Sequence, residues 1–461
     1  MMKSGKQWIR VVGVSSVMLG LTMVFVSMAL RAKPEENIPT NLPKANPGKM
    51  LHPRAPLTDD VSSRLSFSID SLCRITDPNH TLDAFLEELA ELIDGRDTTI
   101  QIVHLGDSHI QAGFYSGQTM HMLQDAFGNA GRGWIAPFRL ARDNEPNDYF
   151  ITSSEIKHWT VGRCIQRHTE CAWGPGGIGI QTDSPTLDFT ISVAPNNGAG
   201  YEFNQVIFYR SEHSLPMLPI GYNHDIVETV WGTEPSSPDV MVDTFKLPIE
   251  VESLQLYSAA RRDLPQMQTS SMRNCYYGCV LTNGHPGILY HAIGQNGAMF
   301  TNFTNTEYIR QLSLLDPSLL IVTLGTNEAY GLNFSSSEFT SQIDQFVQLV
   351  KTYLPCTALV LSTPAENYRS VKTRRSQSYE RNTNISLAAE AIKKYAAREG
   401  IACFDLYGMT GGAYSCERWL DSNFLGKDRV HFSANGYYEQ GKLLYKAIVR
   451  SELDYQKRKR Q

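Results

Sequence analysis

What most constrains this chain is an alternation of short apolar runs with amphipathic helical patterns, present in two stretches of sequence and broken off between them. Residues 99–105 read Thr-Ile-Gln-Ile-Val-His-Leu, a buried-strand pattern. Before it, Leu82, Phe85, Leu86, Leu89, Ala90 and Ile93 recur at helical spacing over 81–93, and 118–127 is helical again. Further on, the apolar runs 319–324, 358–362 and 401–405 alternate with helical patterns over 339–353, 383–398 and 437–451. Strands apolar on both faces and separated by helices predict a parallel sheet covered on both sides, a doubly wound three-layer α/β/α domain.

Between Trp134 and Asn283 the helical periodicity disappears. Short alternating or aromatic runs at 187–193, 205–209, 240–245 and 253–257 are separated by Gly, Pro, Asn and Ser clusters, the pattern of an all-β sandwich or jelly roll. Because α/β signals flank it, this region is read as an insertion. The expected organisation is an α/β domain from 61–134 and 284–456, a β-rich insert over 135–283, and a basic tail at 457–461.

The ends carry their own signals. Val11 to Leu30 bears no charge, and an apolar helix of about 20 residues spans the hydrocarbon core of a bilayer. Lys3, Lys6 and Arg10 precede it, which places the N-terminus in the cytoplasm and the body outside. Residues 1–32 are therefore expected to be a signal anchor or a signal peptide. The length of the run favours an uncleaved anchor, while Ser27-Met28-Ala29 offers a small-x-small cleavage site. Residues 33–60 contain Pro34, Pro39, Pro43, Pro47, Pro53 and Pro56 and read as an extended spacer. Charge agrees with this division. The 461-residue chain has 42 Lys and Arg against 47 Asp and Glu. Nine of those bases lie in the first 33 residues and at 457–460, leaving 33 bases facing 47 acids. So acidic a body is poorly suited to a phosphate backbone, and no nucleic-acid partner is expected.

Eight cysteines in an exported chain can pair. Cys164 and Cys171 bracket a short loop-like stretch, and Cys275 and Cys279 flank Tyr276 and Tyr277. Neither spacing is that of a zinc site, connectivity does not follow from sequence, and buried thiols remain as compatible as bridges. The 12 histidines show no ligand clustering, so neither metal nor cofactor is expected. Gly174-Pro175-Gly176-Gly177-Ile178-Gly179 matches a dinucleotide fingerprint only literally, since no strand precedes it.

In a doubly wound sheet, ligands bind beyond the carboxyl ends of the strands. Ser108, in Gly106-Asp107-Ser108-His109, follows such an end. A serine there is often only a helix cap, but it also suits a nucleophile with backbone N–H groups beside it. In Asp428-Arg429-Val430-His431 the spacing lets a carboxylate reach the imidazole, fix its tautomer and stabilise its protonated form. Gly294-Gln295-Asn296-Gly297 and Gly325-Thr326-Asn327 are turns able to offer backbone and amide donors to an oxyanion. Each is weak alone.

Taken in order, Gly106-Asp107-Ser108-His109, the Gly297 turn, Gly325-Thr326-Asn327 and Asp428-x-x-His431 resemble the four sequence blocks of the SGNH (GDSL-like) hydrolases. The resemblance covers roughly 65–134 and 287–450. It implies the flavodoxin-like SGNH fold, with Ser108 as nucleophile, His431 as base and Asp428 orienting it. The oxyanion hole would be formed by Ser108, Gly297 and Asn327, with Gly294 competing for the place of Gly297. His109 stands where Leu is commoner, a variant of the glycan-active branches. A β-rich insert between the first two blocks is similar to peptidoglycan O-acetylesterases, where it resembles a carbohydrate-binding module. Trp159, Trp173, Tyr201, Tyr209, Tyr222 and Trp231 are then candidates for stacking on sugar rings, against a core role for each.

The implied activity is deacetylation of an O-acetylated cell-envelope polysaccharide, peptidoglycan first, by an acyl-enzyme mechanism. The expected setting is the periplasm or cell envelope, with the membrane as second partner through 11–30. Acetyl transfer by the same triad, or a vestigial domain that only binds glycan, are the alternatives. Lipase activity is disfavoured, because G-x-S-x-G is absent.

Overall fold

In the computed structural model, residues 73–461 are described, except 155–157, 185, 195–199, 221–227, 233–235, 238, 260–272 and 373–376. The apolar runs form one six-stranded sheet. From edge to edge its order is Ile75–Thr76, Ala402–Phe404, Ala358–Ser362, Leu319–Thr323, Thr99–Gly106 and Gly287–Gly294. All neighbours are parallel except the Ile75–Thr76 edge. Ile102, Val103 and Leu105 of Thr99–Gly106, and every residue of Leu319–Thr323, are buried. That burial on both faces is why their sequences run apolar without alternation.

The strand order sets where the connections part. The chain leaves Thr99–Gly106, adds Gly287–Gly294 on one side of it, then crosses to add Leu319–Thr323 on the other. The connections diverge at the carboxyl end of Thr99–Gly106, and such a switch point opens a crevice. Ser108 is the second residue beyond that strand.

Helices Asp83–Ile93, Phe114–Phe127, Ser336–Tyr353, Asn384–Glu399 and Ala434–Arg460 accompany the sheet. Several begin or end away from the sequence expectation. Phe114–Phe127 starts a turn early, since its buried face includes Ser116, Thr119 and Gln124 and so lacks a clean apolar stripe. Ala434–Arg460 takes in the basic residues 457–460, where cations favour a helix C-terminus. Arg458 pairs with Asp83 and Lys459 with Glu87, tying that end to the first helix.

The intervening region builds two antiparallel sheets. One includes Met241–Val251, Phe203–Arg210, Asn274–Thr282 and Ile178–Thr182, and the other Tyr149–Thr152, Thr186–Val193, Ser253–Ala259 and Leu218–Ile220. Phe189 of the second packs on Phe208 and Tyr276 of the first at 5.9 and 5.1 Å between ring centres. Pairing changes from antiparallel to parallel between Thr282 and Gly287. Gly133–Ile135 already pairs with Asn274–Thr282. All described residues fall in one compact unit.

The segment Val11 to Leu30 and the proline-rich spacer lie outside the described residues, as does Tyr222. Among the described residues no helix is long and apolar enough to cross a membrane. Tyr201 and Tyr209 are each only 3% exposed and pack in the interior. Their rings are therefore unavailable to a sugar, which corrects the expectation of stacking for these two. Trp159 stacks on Phe189 and Trp173 leans on Tyr308, so these rings also have partners within the fold.

Candidate active site

Glycine at the end of Thr99–Gly106 is a packing requirement. A Cβ on Gly106 would lie 2.8 Å from the Thr323 carbonyl oxygen. Asp107 then caps the short helix Ser108–Gln111, its Oδ1 accepting from the His109 N–H at 2.9 Å. Ser108 is the first residue of that helix, and its Oγ lies 2.8 Å from His431 Nε2.

The imidazole is held from its other side. His431 Nδ1 lies 2.7 Å from Asp428 Oδ2, while Asp428 Oδ1 accepts from the N–H groups of Val430 and His431, both at 3.0 Å. Arg429 takes a left-handed φ of 58°, which lets the turn curl back on itself. Burial alone would raise the Asp428 carboxyl, but hydrogen bonds from the His431 ring and those two backbone groups outweigh it and keep the pKa below its ordinary value. A carboxylate facing Nδ1 fixes the proton there. Nε2 is then left as the acceptor for the Ser108 hydroxyl proton.

Two of the oxyanion candidates are separated by the structure. Gly294 ends its strand against the Ser108 helix, where a Cβ would meet Gln111 N at 2.1 Å. Gly297, in the following turn at φ +80°, has open space around it. Among the described residues neither the Gly297 N–H nor the Ser108 N–H has a protein acceptor. Asn327, after Leu319–Thr323, donates from Nδ2 to the Ala298 carbonyl at 3.0 Å and to Asp107 Oδ2 at 3.3 Å. Its amide thus bridges the Ser108 and Gly297 turns. The structure brings Ser108, Asp428 and His431 together directly and joins Asn327 to both turns.

Sequence reasoning gave no role to the supporting residues, although it noted His109 as a variant of the first block. Burial pushes the Asp107 carboxyl up to about 7, against the opposing His109 backbone bond, the charge of His431 and a bond from Thr326. Glu328 is also pushed up to about 7 by burial, although its Oε1 accepts from the Phe300 N–H at 2.8 Å. His109 bonds the Tyr437 hydroxyl through Nδ1 at 2.9 Å, with its ring 5.2 Å from that of His431. Burial lowers its pKa to about 3, so it stays neutral and adds no second positive charge beside the base. Gln111 Oε1 accepts from the Asn296 N–H at 2.6 Å and sets the position of the Gly297 turn. The detectable signals were the Asp immediately before Ser108 and the Glu immediately after Asn327. Nothing in the spacing marked Gln111 or Tyr437. Among the described residues, no three His, Cys, Asp or Glu side chains group as a metal-ligand set.

Residues 275–438 match the profile of the GDSL-like Lipase/Acylhydrolase family. The chain carries a GDSL-like acylhydrolase domain. The matched span includes Gly297, Asn327, Asp428 and His431 but begins beyond Ser108, because the β-rich region separates the first block from the rest. A solved peptidoglycan O-acetylesterase is similar over 82% of this chain and 99% of its own, at 20% identity and a TM-score of 0.65. A GDSL-like lipase from Bacteroides thetaiotaomicron is 21% identical over 35% of this chain and 76% of its own, with a TM-score of 0.28. A carbohydrate esterase family 3 structure from Talaromyces cellulolyticus is 13% identical over 36% and 73%, also with a TM-score of 0.28. No curated protein sequence matches. The fold is that of the SGNH hydrolases, and the domain is of a carboxylic-ester-hydrolase type.

Proposed function

We propose that this acylhydrolase is a serine esterase that removes acetyl groups from an O-acetylated cell-envelope polysaccharide, with peptidoglycan as its substrate. The observation that carries the chemistry is the continuous relay of Ser108 Oγ to His431 Nε2 at 2.8 Å and His431 Nδ1 to Asp428 at 2.7 Å, at the switch point of the sheet. The choice of substrate is supported by the likeness to a peptidoglycan O-acetylesterase along nearly its whole length.

In this reading Ser108 Oγ attacks the acetyl carbonyl carbon while its proton passes to His431 Nε2. Asp428 holds the resulting imidazolium. The tetrahedral oxyanion accepts from the Ser108 and Gly297 N–H groups and from the Asn327 amide, which shifts one proton away from Asp107. His431 then protonates the departing sugar oxygen, leaving acetyl-Ser108. Water, deprotonated by His431, attacks this ester and releases acetate. The apolar segment Val11 to Leu30 would hold the enzyme at the membrane, with the proline-rich residues 33–60 as the arm that reaches the wall.

The test is acetate release from O-acetylated peptidoglycan beside acetylated xylan, using wild type and Ser108→Ala. Turnover of the first substrate in preference to the second, abolished in the variant, is expected. Wild-type turnover by Ser108→Ala would sink the mechanism, and a preference for xylan would sink the choice of substrate.

A further inference from the structure

We propose that Cys171 and Cys275 form a disulfide when the chain folds in contact with a disulfide oxidant. Their Sγ atoms lie 3.2 Å apart in the interior, and both approach the Ala172 carbonyl oxygen, at 3.1 and 3.4 Å. A disulfide needs a sulfur separation of about 2.05 Å, so closure asks for an approach of about one ångström along side chains already aimed at each other. None of the other cysteines is in such a contact with a second sulfur among the described residues.

The bridge would fasten a particular piece of structure. Cys171 sits in the loop that follows Thr160–Arg163, while Cys275 is on Asn274–Thr282 and is held through its N–H by Ser214 Oγ at 2.7 Å. The same loop continues to Gly176, whose carbonyl accepts from Gln295 Nε2 at 2.8 Å. Gln295 belongs to the turn that presents Gly297. A bond at Cys171 therefore anchors the loop standing behind that turn.

The step is a two-electron exchange. One cysteine thiolate attacks a sulfur of the oxidant disulfide and expels a thiolate. The second cysteine thiolate attacks the resulting mixed disulfide and expels the other. The two cysteines lose two protons and two electrons, and the oxidant becomes a dithiol. Since both thiols are buried in the folded protein, the exchange belongs to folding.

The full chain, produced in an oxidising compartment, is unfolded in guanidinium with iodoacetamide and digested with trypsin. Cleavage after Arg273 leaves Cys275 and Cys279 on one peptide, so fragment ions must place the bond. A peptide pair joined through Cys171 and Cys275, and separated by reductant, is expected. Alkylation of both, or a bond from Cys275 to any other cysteine, overturns the proposal. Reductant should also lower the thermal midpoint of the wild type by at least about 3 °C and leave the double variant C171S/C275S unmoved. An equal shift in both proteins overturns it too, and the peptide mapping needs no variant.

Discussion

In the resting site Asn327 ties Ala298 to Asp107, and in the proposed mechanism the same amide donates to the oxyanion. Asn327→Ala is expected to lower kcat for acetate release by about 10²–10³, the usual cost of one hole donor. Asp428→Asn should lower it by about 10²–10⁴, because an amide no longer dictates the His431 tautomer. Glu328 gives a separate, pH-dependent test. Its folded pKa is raised to about 7 from 4.5 by burial, so between those values the folded state holds more protons than the unfolded state. Stability must then fall as pH rises through that window, by up to about 3 kcal/mol. Glu328→Gln, still able to accept from Phe300 N, should show a smaller loss of thermal midpoint between pH 5 and pH 8 than the wild type. An equal loss would mean that Glu328 does not titrate there. The residues proposed to make bonds along the reaction path could be singled out in sequence because such chemistry needs particular side chains at the ends of strands, and the fold brings Ser108, His431 and Asp428 together. Asp107 and Glu328, which set the electrostatics, were not singled out, since burial is a property of the packed site and leaves no pattern in local sequence. Gln111 and Tyr437 act through contacts made only after distant segments meet.

Among elements, the strands were the most readable, since 358–362 coincides with Ala358–Ser362 and 319–324 differs from Leu319–Thr323 by one residue. Helix starts were blurred where a polar face is buried, as in Phe114–Phe127, and the last helix outran its apolar period because Lys and Arg are good helix formers. The two glycines of the turn illustrate what local sequence leaves open. Both fit a donor role on paper, yet Gly294 is needed because the end of its strand lies against backbone of the Ser108 helix. Gly294→Ala should cost about 3 kcal/mol or more, since backbone on the receiving side has no rotamer with which to yield. Gly297→Ala meets nothing within 4 Å and retains its N–H. It should lose only about 1–2 kcal/mol from its left-handed φ. Urea unfolding of the two variants measures the contrast, and comparable losses would place the close approach at the wrong glycine.

At the scale of the whole molecule, the alternating pattern announced an α/β sheet interrupted by antiparallel strands, but not how the two architectures are fastened together. Arg132 supplies much of that connection. It is 2% exposed and bonds Asp148 through Nη2 at 3.1 Å, with Nε 2.5 Å from the other carboxylate oxygen. Its guanidinium also lies over the rings of Tyr149 and Tyr201 at 5.1 and 5.9 Å. The next residue, Gly133, passes so close to Tyr290 that a Cβ would fall 2.2 Å from its carbonyl oxygen. Arg132 Nη1 also lies 4.0 Å from Met120 Sδ of helix Phe114–Phe127, so helix, parallel sheet and antiparallel sheet meet around one buried ion pair. Removing one partner strands the other charge in the interior, so Arg132→Ala should destabilise the protein by about 3–5 kcal/mol. Because the pair lies where the sheets join, the loss should appear in both at once. Tryptophan fluorescence, to which Trp134 and Trp159 contribute from the antiparallel region and Trp419 from the α/β domain, and loss of esterase activity should shift to lower denaturant together. If fluorescence shifts while activity holds, the antiparallel region unfolds by itself and Arg132 serves that region alone.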